Sequence, residues 1–184
     1  MRIVSGTHRG IGLKTPKDST IRPTSDKVRG AVFNILRGHG TLAKAHVLDC
    51  FCGTGALGLE AISQGAAHCT FIDSSAESLQ IARDNADKMK VNECCTFIQS
   101  NAVRVRLSNI HMRFSLVFCD PPYKTDLTQQ TLAHLHAMEV LGDDAWIVIE
   151  DDKHATIHLP DEFQTIDTRT YGDTQIMLAR YRRR

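Results

Sequence analysis

His46-Val47-Leu48-Asp49-Cys50-Phe51-Cys52-Gly53-Thr54-Gly55-Ala56-Leu57-Gly58 reads as a strand, a glycine turn and the start of a helix. Gly53 and Gly55 let the main chain come close to a ligand, and Gly58 lets the helix pack near the strand. The next acid at a strand end is Asp73, twenty residues after Gly53. Its carboxylate is placed to accept hydrogen bonds from both hydroxyls of a ribose. A nicotinamide dinucleotide would satisfy the same spacing, so these two features predict an adenosine-type ligand and nothing finer.

Outward from this stretch, strands read at 46–50, 69–73, 95–99, 115–120 and 145–150. Helices read near 56–64, 75–89, 102–108 and 127–138. Short β-branched runs alternating with helices imply a parallel sheet covered on both faces. After Pro160 the rhythm changes to two strands, 162–171 and 174–181, joined by a tight turn at Gly172-Asp173. Near the N-terminus, 2–5 and 11–15 flank a glycine turn and predict a hairpin. A helix over 26–37 follows, with Val28, Ala31, Val32, Ile35 and Leu36 on one stripe. The expected fold is α/β with a mostly parallel sheet, a C-terminal antiparallel hairpin and a small N-terminal hairpin and helix extension. That is the layout of the class I, Rossmann-like methyltransferases; dehydrogenases usually add a second βαβ half. The division expected is a basic, substrate-binding extension over 1–40 and a catalytic domain over 41–184.

The chain has 184 residues, 42% of them hydrophobic, which suits one domain with a real core. It contains no apolar run long enough to span a membrane, and its N-terminus lacks the apolar segment of a signal peptide. A cytoplasmic location is expected. The six cysteines read as free thiols, with Cys69 and Cys119 inside core strands. Neither Cys50-Phe51-Cys52 nor Cys94-Cys95 has zinc-ligand spacing, and His134 and His136 are two apart on a helix, so no metal is expected. The net charge is only +1 but is unevenly spread. Residues 1–40 carry eight Lys/Arg against two Asp/Glu, 169–184 carry five against one, and 41–168 carry nine against eighteen. An anionic partner approached by the two ends fits this asymmetry.

Asp120-Pro121-Pro122-Tyr123 follows the apolar strand ending at Cys119, where open α/β sheets bind ligands. An exocyclic amine of a base is a poor nucleophile because its lone pair is delocalised into the ring. The Asp120 carboxylate and the Pro121 carbonyl can both accept hydrogen bonds from that NH₂, favouring a pyramidal nitrogen aimed at a methyl donor. Two prolines fix the backbone and hold the carbonyls rigid. Tyr123 offers a face for base stacking, worth roughly 1–3 kcal/mol. The acidic run Glu150-Asp151-Asp152, at another strand end, reads as a solvated loop.

Asp120-Pro121-Pro122-Tyr123 resembles the (Asp/Asn)-Pro-Pro-(Tyr/Phe) signature of amino-methyltransferases. Arg22 to Leu36, Asp49 to Ala61 and Tyr171-Gly172-Asp173-Thr174 together resemble the RsmD-type bacterial 16S ribosomal RNA guanine-N2 methyltransferases, over nearly the whole chain. The resemblance implies transfer of a methyl group from S-adenosylmethionine to the N2 amine of one guanine in 16S rRNA. It also implies that the partner is 16S rRNA, within the small ribosomal subunit or an assembly intermediate, and the chain is expected to act as a monomer. Asp120, Pro121 and Tyr123 are then catalytic. Asp49, Phe51, Gly53, Gly55, Asp73, Asn101 and Ala102 would hold the cofactor. The family usually has Asp where Asn101 stands, and often Glu where Asp73 stands. The Asn101 amide oxygen can still accept from an adenine amine.

Substrate contacts are expected from Arg9, Lys14, Arg22, Arg29, Pro122, Tyr123, Arg180 and Arg182. Arg29 reads equally as an ordinary helix-surface charge. A target guanine must leave its stack to react. Two other functions use the same features. One is a DNA adenine amino-methyltransferase, for whose target-recognition region 184 residues leave little room. The other is an rRNA-binding assembly factor without catalysis, against which the intact Asp120 and Gly53/Gly55 speak.

Overall fold

The computed structural model describes residues 1–16, 25–107, 112–122 and 125–183. A seven-stranded sheet has the order β3-β2-β1-β4-β5-β7-β6. Its strands are β1 (His46–Cys50), β2 (His68–Asp73), β3 (Cys95–Gln99), β4 (Phe114–Cys119), β5 (Leu141–Asp152), β6 (Phe163–Tyr171) and β7 (Thr174–Tyr181). The first five pair in parallel, while β7 runs antiparallel to both β5 and β6. The helices are α1 (Asp26–Gly38), α2 (Ala56–Ser63), α3 (Ala76–Met89) and α4 (Leu127–Ala137). None of the described helices is long and apolar enough to cross a membrane.

Strand residues alternate between two cores. Val47, Phe71, Leu116, Phe118 and Val148 face the cluster formed with α1, α2 and α3. Leu48, Cys50, Ile72, Val117, Cys119 and Ile149 face the cluster formed with α4 and the segment 102–107. The chain winds outward from β1 to β3, then returns to the other side of β1 as β4. This reversal between β1 and β4 is the switch point at which open α/β sheets form a crevice, and it brings Asp49, one residue before the end of β1, near Asp120, which directly follows β4.

The N-terminal hairpin is present in short form, with one antiparallel bridge, Arg2 to Gly12, and main-chain bonds such as Ile3 N–H to the Ile11 carbonyl (2.9 Å). Side chains of α2 and α3 hold it as well. Two expectations are corrected. The helix expected at 102–108 is absent from the described part, 102–107. The Asn101 side chain accepts from the Val103 N–H at 3.0 Å and closes a single turn. Val105 and Leu107 are then both buried on one core, a spacing of two rather than of a helix. His134 donates Nε2–H to the Val105 carbonyl at 2.8 Å, a bond an α-helix would need for itself. Finally, Glu150 and Asp151 lie within β5 and are 5% and 6% exposed, so the acidic run is not a solvated loop.

The N-terminal segment is fastened by a buried carboxylate. Glu60 on α2 accepts from the Val4 and Ser5 N–H groups at 2.7 and 2.9 Å and faces the Arg29 guanidinium at 3.4 Å. Arg29 also donates to Asp26 at 2.8 Å and to the Arg2 carbonyl. Both Arg29 and Glu60 have fully buried side chains. Removing one partner strands the other charge in the core, so Glu60→Ala should lower unfolding free energy by about 3–5 kcal/mol. Urea denaturation of the two single variants and of Glu60→Ala/Arg29→Met checks this. The double variant should lose less than the sum of the singles; full additivity would mean the two charges do not compensate each other.

Candidate functional site

The loop after β1 sets the site. Phe51, Gly53 and Gly55 all have positive φ (62°, 52° and 75°), so the chain folds back on itself before α2 begins. Gly58 is where helix and sheet touch. A Cβ there would lie 2.4 Å from Phe71 Cε1 and 2.5 Å from the Cys69 sulfur. Asp49, 1% exposed, accepts from the Gly58 N–H at 2.9 Å. This carboxylate therefore faces the positive end of α2. Burial still dominates and, with Asp73 nearby, pushes its pKa up to about 7, against the pull of the Gly58 bond.

Asp73 ends β2 and clamps the same loop. Its oxygens accept from the Gly53 N–H at 2.9 Å and the Ser75 N–H at 2.8 Å. Each oxygen keeps a lone pair for a hydroxyl donor. A cleft of about 120 Å³ opens beside it. Phe51, Ile72, Ala102, Pro122 and Leu127 supply apolar walls, and Asp73 and Asn101 supply polar atoms. An added Cβ at Gly53 would meet nothing within 4 Å, so the loop backbone borders open space. Apolar walls with one carboxylate and one amide among them suit a ligand that carries both an apolar ring and hydroxyl donors.

Of the residues expected from sequence, Phe51, Asp73, Asn101, Ala102 and Pro122 share this cleft, and Gly53 is tied to it by its bond to Asp73, while Asp49 is turned to Gly58. Ile72, Ser74, Ser100 and Leu127 were missed, although the first three adjoin positions already singled out. Asp120 and Pro121 follow β4 directly; Pro121 is buried and Pro122 exposed. The Asp120 carboxyl is raised well above its usual range by burial and by Glu150, Asp49 and Asp151. Tyr123 and Arg22 lie outside the described residues. Among the described residues, no group of three or more His, Cys, Asp or Glu is placed to hold a metal ion. Cys119 is 1% exposed in the α4 core, where burial pushes its thiol up to about 12.

The basic residues separate. Arg29 is a correction: fully buried and paired with Glu60 and Asp26, it cannot reach a phosphate from the surface. Arg180 pairs across the sheet with Trp146, four residues before the β5 position level with Asp120, or roughly 13 Å toward the opposite edge. There it stacks over the Trp146 ring at 4.7 Å and faces Asp144 at 3.3 Å. Arg182 lies beyond it, also near Asp144. Arg9 and Lys14 are exposed. Lys14 sits near the glycine loop, because Asn85 accepts from the Lys14 N–H (2.7 Å) and donates to the Thr54 carbonyl (3.0 Å).

The family model described as "Conserved hypothetical protein 95" matches residues 1–180. Ribosomal RNA small subunit methyltransferase D of Escherichia coli (strain K12) is 36% identical over 152 residues, covering 83% of this chain and 75% of that protein. The solved structure "Putative methyltransferase yhhF from Escherichia coli" superposes with a TM-score of 0.85 at 30% identity, covering 100% of this chain and 99% of that one. Magnesium protoporphyrin IX methyltransferase of Synechocystis PCC 6803, solved with bound SAM, is similar in fold, with a TM-score of 0.65 at 18% identity over 84% of this chain and 78% of that one. By full-length match and by fold, the chain belongs to the RsmD-type family, on a Rossmann-like methyltransferase sheet with a C-terminal antiparallel hairpin.

Proposed function

We propose that this protein methylates the exocyclic N2 amine of a guanine in 16S rRNA, with S-adenosylmethionine as donor. The observation that carries this reading is the continuity of the apolar cleft with the Asp120-Pro121-Pro122 turn: Pro122 lines the cleft, two residues from a carboxyl that can grip an amine. S-adenosylmethionine supplies a methyl group already activated on a sulfonium. Asp73 would accept the ribose hydroxyls, Asn101 and Ala102 would border the adenine, and Asp49 would face the cationic amino-acid end. Asp120 and the Pro121 carbonyl would orient the base amine, and Tyr123 would stack on the base. Arg9, Lys14, Arg22, Arg180 and Arg182 remain the proposed phosphate contacts.

Asp120 also suits the proton that must leave the amine. A carboxyl raised by burial and by three neighbouring acids holds a proton more readily than an ordinary aspartate. Burial and acidic neighbours both favour the neutral acid, so turnover should fall on acidification at a pH above the usual carboxylate range. Asp120→Ala should abolish transfer while S-adenosylmethionine binds within several-fold. Asp120→Asn keeps one acceptor and should be milder but lose this acidic limb. Retention of more than a tenth of wild-type turnover by the alanine variant sinks the role.

Asp49 gives a stability test. Its folded pKa, about 7, exceeds the ordinary 3.8, so the folded state holds the extra proton between those values. Stability from this group is therefore greatest below pH 4 and is lost as pH rises through 7. Asp49→Asn should raise the ligand-free Tm at pH 8 by at least ~3 °C and weaken S-adenosylmethionine binding. Calorimetry at pH 6 and 8 checks both; a lower Tm at pH 8 would contradict the sign. The substrate class is tested with labelled S-adenosylmethionine offered to free 16S RNA, small subunits and duplex DNA. Label is expected on RNA or subunits, and label only on DNA would favour the adenine-methyltransferase reading.

A further inference from the structure

A second cavity, about 350 Å³, opens at the start of α4, which the cofactor cleft also touches. Its walls include Asp126 and Thr128 at the start of α4, Asp151 and Asp152 at the end of β5, and His154 and His158 beyond it. The two cavities meet the same short segment. Pro122 and Leu127 line the cofactor cleft, and Thr125 and Asp126 line this one. Asp151 lies close enough to Asp120 to raise its carboxyl. A volume of this size falls in the range of small-molecule sites, roughly 300–1,000 Å³.

The lining restricts what can enter. Three carboxylates repel a phosphate, so the cavity does not suit the RNA backbone. Ionised carboxylates accept hydrogen bonds and donate none. Asp151 gives one oxygen to the Asp152 N–H at 2.7 Å and keeps the other. Thr128 is 5% exposed, and its hydroxyl has no hydrogen-bond partner among the described residues beyond the weak thiol of Cys119. A wall rich in acceptors calls for a neutral, flat group with adjacent donors on one edge. Among the four RNA bases only guanine has this, in the N1–H and N2–H₂ of its Watson–Crick edge. Adenine and cytosine each place a ring acceptor beside their amine, and uracil flanks one N–H with two carbonyls.

We propose that this cavity takes the flipped target base, and that the Asp151–Asp152 pair selects guanine by accepting from the N1–H beside its N2 amine, while the amine itself stays on Asp120 and the Pro121 carbonyl. The proposal rests on the guanine-methylating reading above. Flipped bases are generally read through their Watson–Crick edge, and a site built to bond a donor discriminates strongly against a base lacking it.

The test uses the full chain with tritiated S-adenosylmethionine and small subunits not yet methylated by this enzyme, followed by digestion to nucleosides. Asp151→Asn and the more exposed Asp152→Asn are compared with wild type. Each replaces an acceptor oxygen with an amide donor that faces guanine's own donors. Each variant should lose about 10- to 100-fold in kcat/KM for the subunit, with S-adenosylmethionine affinity within twofold and the melting transition retained. Wild-type label on a nucleoside other than guanosine overturns the guanine reading itself. Label on guanosine, with both variants within twofold of wild type, overturns the pocket while leaving that reading intact. A second measurement does not depend on variant folding. Photocrosslinking of wild-type protein to 16S RNA containing 6-thioguanosine should yield crosslinked peptides spanning 125–129 or 151–158. Crosslinks confined to other segments would overturn the assignment.

Discussion

The hydrogen bond from the Gly58 N–H to the buried Asp49 carboxylate joins the last turn of a strand to the first turn of the next helix. Gly58 has no room for a side chain between α2 and the Phe71 and Cys69 side chains, so the helix start is pressed onto the sheet. The loop between them must then reverse through three residues of positive φ. Asp73 catches that reversal at the Gly53 N–H. The smaller cleft is what remains between this clamped loop and the segments leaving β3 and β4.

The same geometry gathers acids. Asp49, Asp73, Asp120, Glu150 and Asp151 all end parallel strands at one edge of the sheet. Each raises the protonation tendency of a neighbour, a cost in stability without a cation present. On the proposed function, a cationic methyl donor would offset that repulsion, and an amine shedding a proton would find an acceptor, a common trade between stability and function.

The frame was legible because its signals are local. β-branched runs, the glycine turn and Asp120-Pro121-Pro122 each carry their own backbone consequence, and the C-terminal hairpin announced itself at Gly172-Asp173. What was not legible depends on partners far along the chain. Arg29 looks like a surface charge on an amphipathic helix until Glu60, thirty-one residues later, is seen to neutralise it in the core. Glu150 and Asp151 look like loop residues because nothing near them reveals that β7 pairs with them and extends the strand. The missing helix at 102–107 turns on one side-chain bond of Asn101 and on His134 from α4, neither of which has a periodic signature. The stacking of Arg180 over Trp146 likewise depends on the pairing of β7 with β5 and has no local signature.

The central claim is that the cleft between Asp73 and Pro122 holds the methyl donor with its reactive end toward Asp120. A crystal structure with S-adenosylmethionine bound tests this most directly. The account predicts the adenine against Phe51 and Ala102, the ribose hydroxyls on Asp73 and the sulfonium directed at Asp120, with the larger cavity beside β5 left free for a base. A donor seated in that larger cavity, or one whose ribose lies away from Asp73, would contradict it.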